Sequence, residues 1–290
     1  MSRKILIYFV LLYALIVAGC TKSVDMHPHE LFLGTVWMQT AAEYYASATQ
    51  AYLTAAASLD EALQDSEWTA ALEQDMMQDL PPAVILDLDE TVLDNLPFEG
   101  KLVQLNTIYT PSLWKKWVSL GQAGAVPGSL EFVRYAKSRG VEVFYVTNRA
   151  YQEENATRRN LEQLGFPVNL NLDVVLTRNE EHDWGPDKTT RRMFIAKKYR
   201  ILLLIGDDLN DFISVGSASP GERVRLAAAQ SARWGRQWIL LPNPLYGSWK
   251  RSLYGYESGL SQSEKLAREY QHIRGFNSEV SSIPRTPTPR

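Results

Sequence analysis

The stretch that most constrains this chain is residues 83–95, A-V-I-L-D-L-D-E-T-V-L-D-N. Its first four residues form an unbroken apolar run, as expected of a parallel strand buried on both faces. The run ends in Asp87 and Asp89, with Glu90 and Thr91 close behind. In open α/β sheets, ligands bind in the crevice beyond the carboxyl ends of the strands. Side chains alternate along an extended chain, so Asp87 and Asp89 can face the same side of that crevice. A buried strand followed by a solvated acidic turn reads the same way, so the pair alone does not identify chemistry.

Other runs end in the same manner. Residues 201–205 are apolar and lead into Gly206-Asp207-Asp208-Leu209-Asn210-Asp211-Phe212. Residues 141–146 lead into Thr147-Asn148-Arg149, and Lys188 sits in the turn G-P-D-K-T-T-R-R before a predicted helix. Strands alternating with helices point to an α/β fold, a doubly wound parallel sheet. Further strands are predicted over 174–176 and 238–241, and helices over 129–139, 153–164, 192–198 and 261–272. Ahead of the first strand, helices are predicted over 30–57 and 58–77, stopped by Pro81-Pro82. In the first of these, Leu31, Thr35, Met38, Ala42, Tyr45 and Thr49 could share one face. Trp37, Tyr44, Tyr45 and Tyr52 read as packing. Residues 96–126 leave the sheet and are expected to form a small, mainly helical cap.

The order D-x-D-x-T, strand-end Thr, Lys, G-D-D-x-x-D resembles the haloacid dehalogenase superfamily. I-L-D-L-D-E-T-V-L-D-N paired with I-G-D-D-L-N-D-F is similar to the bacterial class C acid phosphatases, which include the lipoprotein-e 5'-nucleotidases. That resemblance implies Asp87 as nucleophile, Asp89 as acid and base, and Thr147 and Lys188 as holders of the phosphoryl oxygens. It implies Mg²⁺ on Asp87, the Asp89 backbone carbonyl and Asp207, with Asp211 orienting a metal-bound water. For Asp208 a capping role weighs as much as one beside the metal. Trp114 and Tyr246 match aromatic residues that stack on the nucleoside base in the lipoprotein-e nucleotidases, and packing of the cap onto the core is an equal reading for both rings. Two positions depart from the pattern, which usually has Tyr at 98 and Asn or Thr at 208; here they are Phe98 and Asp208.

The first residues read as a targeting segment, with Arg3 and Lys4 ahead of apolar residues 5–17. Val17-Ala18-Gly19-Cys20 resembles a bacterial lipobox, and Cys20 is the only cysteine. The expectation is therefore a signal peptide over 1–19, a lipidated Cys20, a tether to residue 29 and no disulfide. Thr21 after the Cys favours the bacterial outer membrane by analogy with lipoprotein sorting. With its single Cys at the anchor, the chain has no nucleophile for a cysteine phosphatase. The four histidines offer neither an Arg-His-Gly stretch nor zinc-ligand spacing in a structured region. A formal net charge of −3 without a basic run argues against a nucleic-acid polymer as partner.

The expected activity is Mg²⁺-dependent hydrolysis of a small phosphomonoester, a 5'-nucleotide foremost. Phosphate transfer to alcohols and a surface-binding lipoprotein on a phosphatase fold are the alternatives. Residues 251–277 read as a C-terminal helical segment and 278–290 as a disordered tail. The oligomeric state, a homodimer included, stays open.

Overall fold

The computed structural model describes residues 29–74, 79–169 and 171–275. Cys20, its flanking leader and tether, and the 278–290 tail lie outside the described residues.

Five parallel strands make the central sheet: β1 (Pro82–Leu86), β4 (Glu142–Ala150), β5 (Val175–Arg178), β6 (Arg200–Gly206) and β7 (Trp238–Leu240). Their spatial order is β5-β4-β1-β6-β7, so β1 is central and paired on both edges. The chain runs outward from β1 through β4 to β5, then returns to place β6 on the other side of β1. The direction of winding reverses at β1, and the right-handed crossovers that parallel sheets favour would place helices on both faces. That reversal opens a crevice at the C-terminal end of β1. The apolar residues 83–86 are all buried, which explains the unbroken run.

The N-terminal helices differ from expectation. The chain forms α1 (Phe32–Thr40), breaks at Ala41, and continues as α2 (Ala42–Gln64) straight through Ser58. Ala41 is extended, at φ −80° and ψ 129°, and turns the second helix to a new face. Tyr44, Ala48, Tyr52, Ala55, Leu59 and Ala62 are buried, while Ala42 and Tyr45 face solvent. The expected common face thus holds only for Leu31, Thr35 and Met38. Residues 65–74 are not helical; Trp68 instead buries its ring and donates its indole N–H to the Leu202 carbonyl at 2.7 Å.

The cap is α3 (Leu96–Gln104) and α4 (Pro111–Leu120), with its two ends tied by a short antiparallel ribbon of β2 (Leu93–Asp94) and β3 (Gly124–Ala125). Thr110 caps α4, Pro111 fills its first turn, and Gly121 ends it in the left-handed conformation at φ 60°. A second apolar cluster, Leu31, Met38, Tyr44, Leu96, Phe98, Leu102 and Leu245, joins α1 to the cap beside the crevice. The remaining helices are α5 (Ser129–Ser138), α6 (Glu154–Leu164), α7 (Thr189–Ala196), α8 (Pro220–Ala229), α9 (Ser248–Leu253) and α10 (Gln262–Gln271). β4 runs past residue 146, so Thr147, Asn148 and Arg149 belong to the strand itself.

Candidate active site

Two strand ends and a turn meet at the crevice. β1 delivers Asp87, β6 delivers Asp207, and the turn after β6 returns Asp211. Each of these three carboxylates offers one oxygen within 4.8 Å of the others. Hard oxygen donors without Cys or His suit Mg²⁺, Mn²⁺ or Ca²⁺ better than a softer metal. Asp207 is steadied by neutral donors: Asn243 Nδ2 at 2.7 Å and Thr91 Oγ1 at 3.3 Å. Burial, reinforced by Asp87 and Asp211, pushes the Asp207 carboxyl well above its ordinary value. A bound cation would reverse that effect.

Lys188, at the start of α7, is buried and placed between two of these acids. Its ammonium donates to Asp87 Oδ1 and lies 2.6 Å from Asp211 Oδ1. Burial pulls the ammonium down, but Asp211 and Asp87 outweigh it and leave it above the ordinary lysine value. Asp87 is pushed up to about 7 by burial, with Lys188 opposing and Asp211 and Asp89 adding to the rise. Thr147 is fully buried at the neighbouring strand end, its hydroxyl accepting the Arg149 N–H at 3.1 Å.

Asp89 faces a different set of groups. Arg149 Nη2 reaches its Oδ1 at 2.8 Å and Nε at 3.0 Å, and Asn95 Nδ2 donates to the same oxygen at 2.8 Å. Asn95 Oδ1 in turn accepts from Trp117 Nε1 at 2.8 Å. The Arg149 guanidinium sits 5.5 Å above the Trp114 ring. One continuous network therefore runs from the strand-end acid to the aromatic residues of the cap.

Asp208 turns away from the carboxylate cluster. It caps the short 3-10 turn at Leu209–Asp211 through the Asn210 N–H, and accepts from the backbone and hydroxyl of Ser248 at the start of α9. Its neighbourhood is thus helix starts, which favours the capping alternative.

Trp114 and Tyr246 each pack, half-buried, against the small cluster around Phe98. Trp114 meets Phe98 edge-on at 5.2 Å, and the Tyr246 hydroxyl is buried with no hydrogen-bond partner among the described residues. Trp117 stacks on Phe98 at 6.4 Å as well as bonding Asn95.

A family model for the HAD superfamily, subfamily IIIB (acid phosphatase), matches residues 23–249. The chain belongs to this subfamily. The class C acid phosphatase of Bacillus anthracis is 32% identical, with a TM-score of 0.77 over 86% of this chain and 99% of that one. A second structure of that enzyme, with tungstate bound, is 31% identical with a TM-score of 0.76 and covers 87% and 99%. Acid phosphatase 1 of Solanum lycopersicum is 28% identical over 167 residues, 56% of this chain and 57% of that protein. The stem 28 kDa glycoprotein of Glycine max is 23% identical over 56% of this chain and 58% of its own length. The chain thus spans less than two thirds of these curated plant relatives. The fold and the class C resemblance read from the strand-end motifs are both met.

Three neighbours of the site carry weight that the sequence did not reveal. Arg149 and Asn95 both lie inside quoted motifs, yet nothing in their spacing says that they converge on Asp89. Asn243 lies in the P-N-P turn after β7, where the only signal was its closeness to a strand end.

Proposed function

We propose that this protein is a Mg²⁺-dependent acid phosphatase that hydrolyses phosphomonoesters, 5'-nucleotides among them, through an aspartyl-phosphate. The single observation that carries the reading is the split between the two acids of the D-x-D. Asp87 joins Lys188 and the carboxylate cluster, while Asp89 stands apart on Arg149 and Asn95. Two carboxyl groups in unlike environments suit unlike roles.

Asp87 attacks phosphorus and the bond to the ester oxygen breaks. Asp89 gives its proton to the leaving oxygen, then takes one from the water that attacks the aspartyl-phosphate. Phosphate leaves and both acids return to their starting states. Thr147 and Lys188 hold the phosphoryl oxygens by hydroxyl and ammonium, meeting the need of phosphoryl transfer for positioning and positive charge. Asp87, Asp207 and the Asp89 backbone carbonyl would hold the metal, with Asp211 close beside them in the same cluster, and the metal supplies further positive charge against those oxygens when bound.

Trp114 and Tyr246 are assigned to the nucleoside base, supported by their shared place beside the crevice. Stacking on an aromatic ring is worth about 1–3 kcal/mol per base, whichever base it is. Losing either ring should raise KM for a nucleoside monophosphate about tenfold, and affect a small aryl phosphate much less. Equal losses on both substrates would reduce the reading to a general acid phosphatase. The parent assignment is tested by phosphate release across nucleotides and sugar phosphates, with and without Mg²⁺. Release from none of them would refute it.

We also assign a lipid anchor at Cys20, on the lipobox-like V-A-G-C, and an outer-membrane location, on the Thr21 that follows it. Labelled fatty acid should be incorporated into the wild-type protein and not into Cys20→Ser. Its absence from the wild type would refute the anchor.

A further inference from the structure

Behind the groups that face the crevice lies a cation that the proposed reaction does not use. Arg191 follows Lys188 by one turn of α7 and is fully buried. Its Nη1 donates to the Thr147 carbonyl, and its Nη2 donates to Asn148 Oδ1 at 2.7 Å and the Gly185 carbonyl at 2.8 Å. All three acceptors are neutral. Among the described residues, no carboxylate pairs with Arg191, in contrast to Arg149 with Asp89 and Arg192 with Glu73. Its Nε is buried without a partner among the described residues.

Taking a guanidinium out of water without pairing it is costly. Burial lowers Arg191 to about 10, with Asp87 and Asp211 holding it up, so it remains cationic at neutral pH. Three fixed bonds from one planar fork also impose geometry, because the fork sets its acceptors at one spacing. Those acceptors come from two segments: the end of β4 with Thr147 and Asn148, and the loop that leads through Gly185 to Lys188. Asn148 strengthens the same seam, donating from Nδ2 to the Pro186 carbonyl at 3.0 Å.

We propose that Arg191 is a positioning residue for phosphate, clamping the Thr147 strand end to the Lys188 loop from behind and adding an unpaired positive charge beneath the bound anion. This rests on the reading of Thr147 and Lys188 as the groups that hold phosphate. The clamp needs the fork and the charge needs only a cation, so Arg191→Lys and Arg191→Gln separate the two.

The test is direct binding of inorganic phosphate to the Mg²⁺-loaded full chain by calorimetry, alongside KM and kcat on an aryl phosphate. Arg191→Gln should weaken phosphate binding by about tenfold or more, with KM rising by more than kcat falls. Arg191→Lys should fall between Arg191→Gln and the wild type. Asn148→Ala removes one arm of the clamp at an exposed position, and should weaken phosphate binding by a smaller factor in a protein that still folds. Should the Arg191 variants fail to fold, Asn148→Ala decides the matter, and wild-type phosphate affinity there overturns the proposal. Folded Arg191 variants that bind phosphate within about twofold of the wild type overturn it equally. Lys188→Gln separates this failure from that of the parent reading. If Lys188→Gln leaves phosphate affinity unchanged, the phosphate-holding assignment itself is wrong. If Lys188→Gln weakens binding and the Arg191 variants do not, only the clamp is wrong.

Discussion

Gly206 shows how tightly single residues set the site. A Cβ there would lie 2.5 Å from Asp211 Cβ and nearer still to its carboxylate, so only glycine lets the acidic turn fold back onto β6. Gly206→Ala should therefore push Asp211 out of the cluster while the sheet still forms. A displacement of that order can cost about 10²-fold in rate. The expected outcome is a loss of that size in kcat/KM with weaker Mg²⁺ binding by calorimetry; unchanged metal affinity would count against it. Arg149 sets Asp89 in the same way. Arg149→Met should lower kcat toward the level of Asp89→Asn, about 10²–10⁴-fold for a lost acid–base group. Because both act through one carboxylate, the double variant should be little worse than Asp89→Asn alone. Additive losses in steady-state kinetics would show that Arg149 acts elsewhere.

At the scale of elements, Asp208 links the turn after β6 to the start of α9. Removing a capping acid typically costs about 0.5–2 kcal/mol. Asp208→Ala should thus lower stability by that amount in urea titration, with Mg²⁺ affinity close to wild type. A large loss of metal affinity would place Asp208 with the metal instead. The strands were legible because buried parallel strands are continuous apolar runs, and residues 83–86 and 201–205 are of that kind. Their acidic ends were legible for the same reason, since polarity changes abruptly where the strand stops. The break at Ala41 was not, because Thr40-Ala41-Ala42 contains neither Gly nor Pro and the turn is imposed by packing of α1 on the cap. The β2–β3 ribbon escaped notice because two-residue strands leave no periodicity. Arg149 was visible in its motif but its partner lies sixty residues away, a distance that only the fold closes.

For the molecule as a whole, the buried acids make stability a function of pH and metal. Burial raises Asp87 and Glu99 each to about 7. A carboxyl raised in the folded state contributes stability that is full below its unfolded value, about 4, and is lost as pH climbs through the folded value. The metal-free protein should therefore lose stability between about pH 4 and 7 on account of these groups. Cation binding needs Asp87 ionised, so the rise in Tm on adding Mg²⁺ should grow over the same interval. Calorimetry in chelator and in Mg²⁺ at both pH values checks this, and a Mg²⁺ effect that shrinks as pH rises would contradict it. The central claim is that Asp87 is the nucleophile of a phosphomonoesterase, and the most direct measurement is phosphate release by Asp87→Asn beside the wild type in Mg²⁺. The wild type should release phosphate, and the variant, folded by circular dichroism, should release none above background. Wild-type-like release by Asp87→Asn would contradict the account.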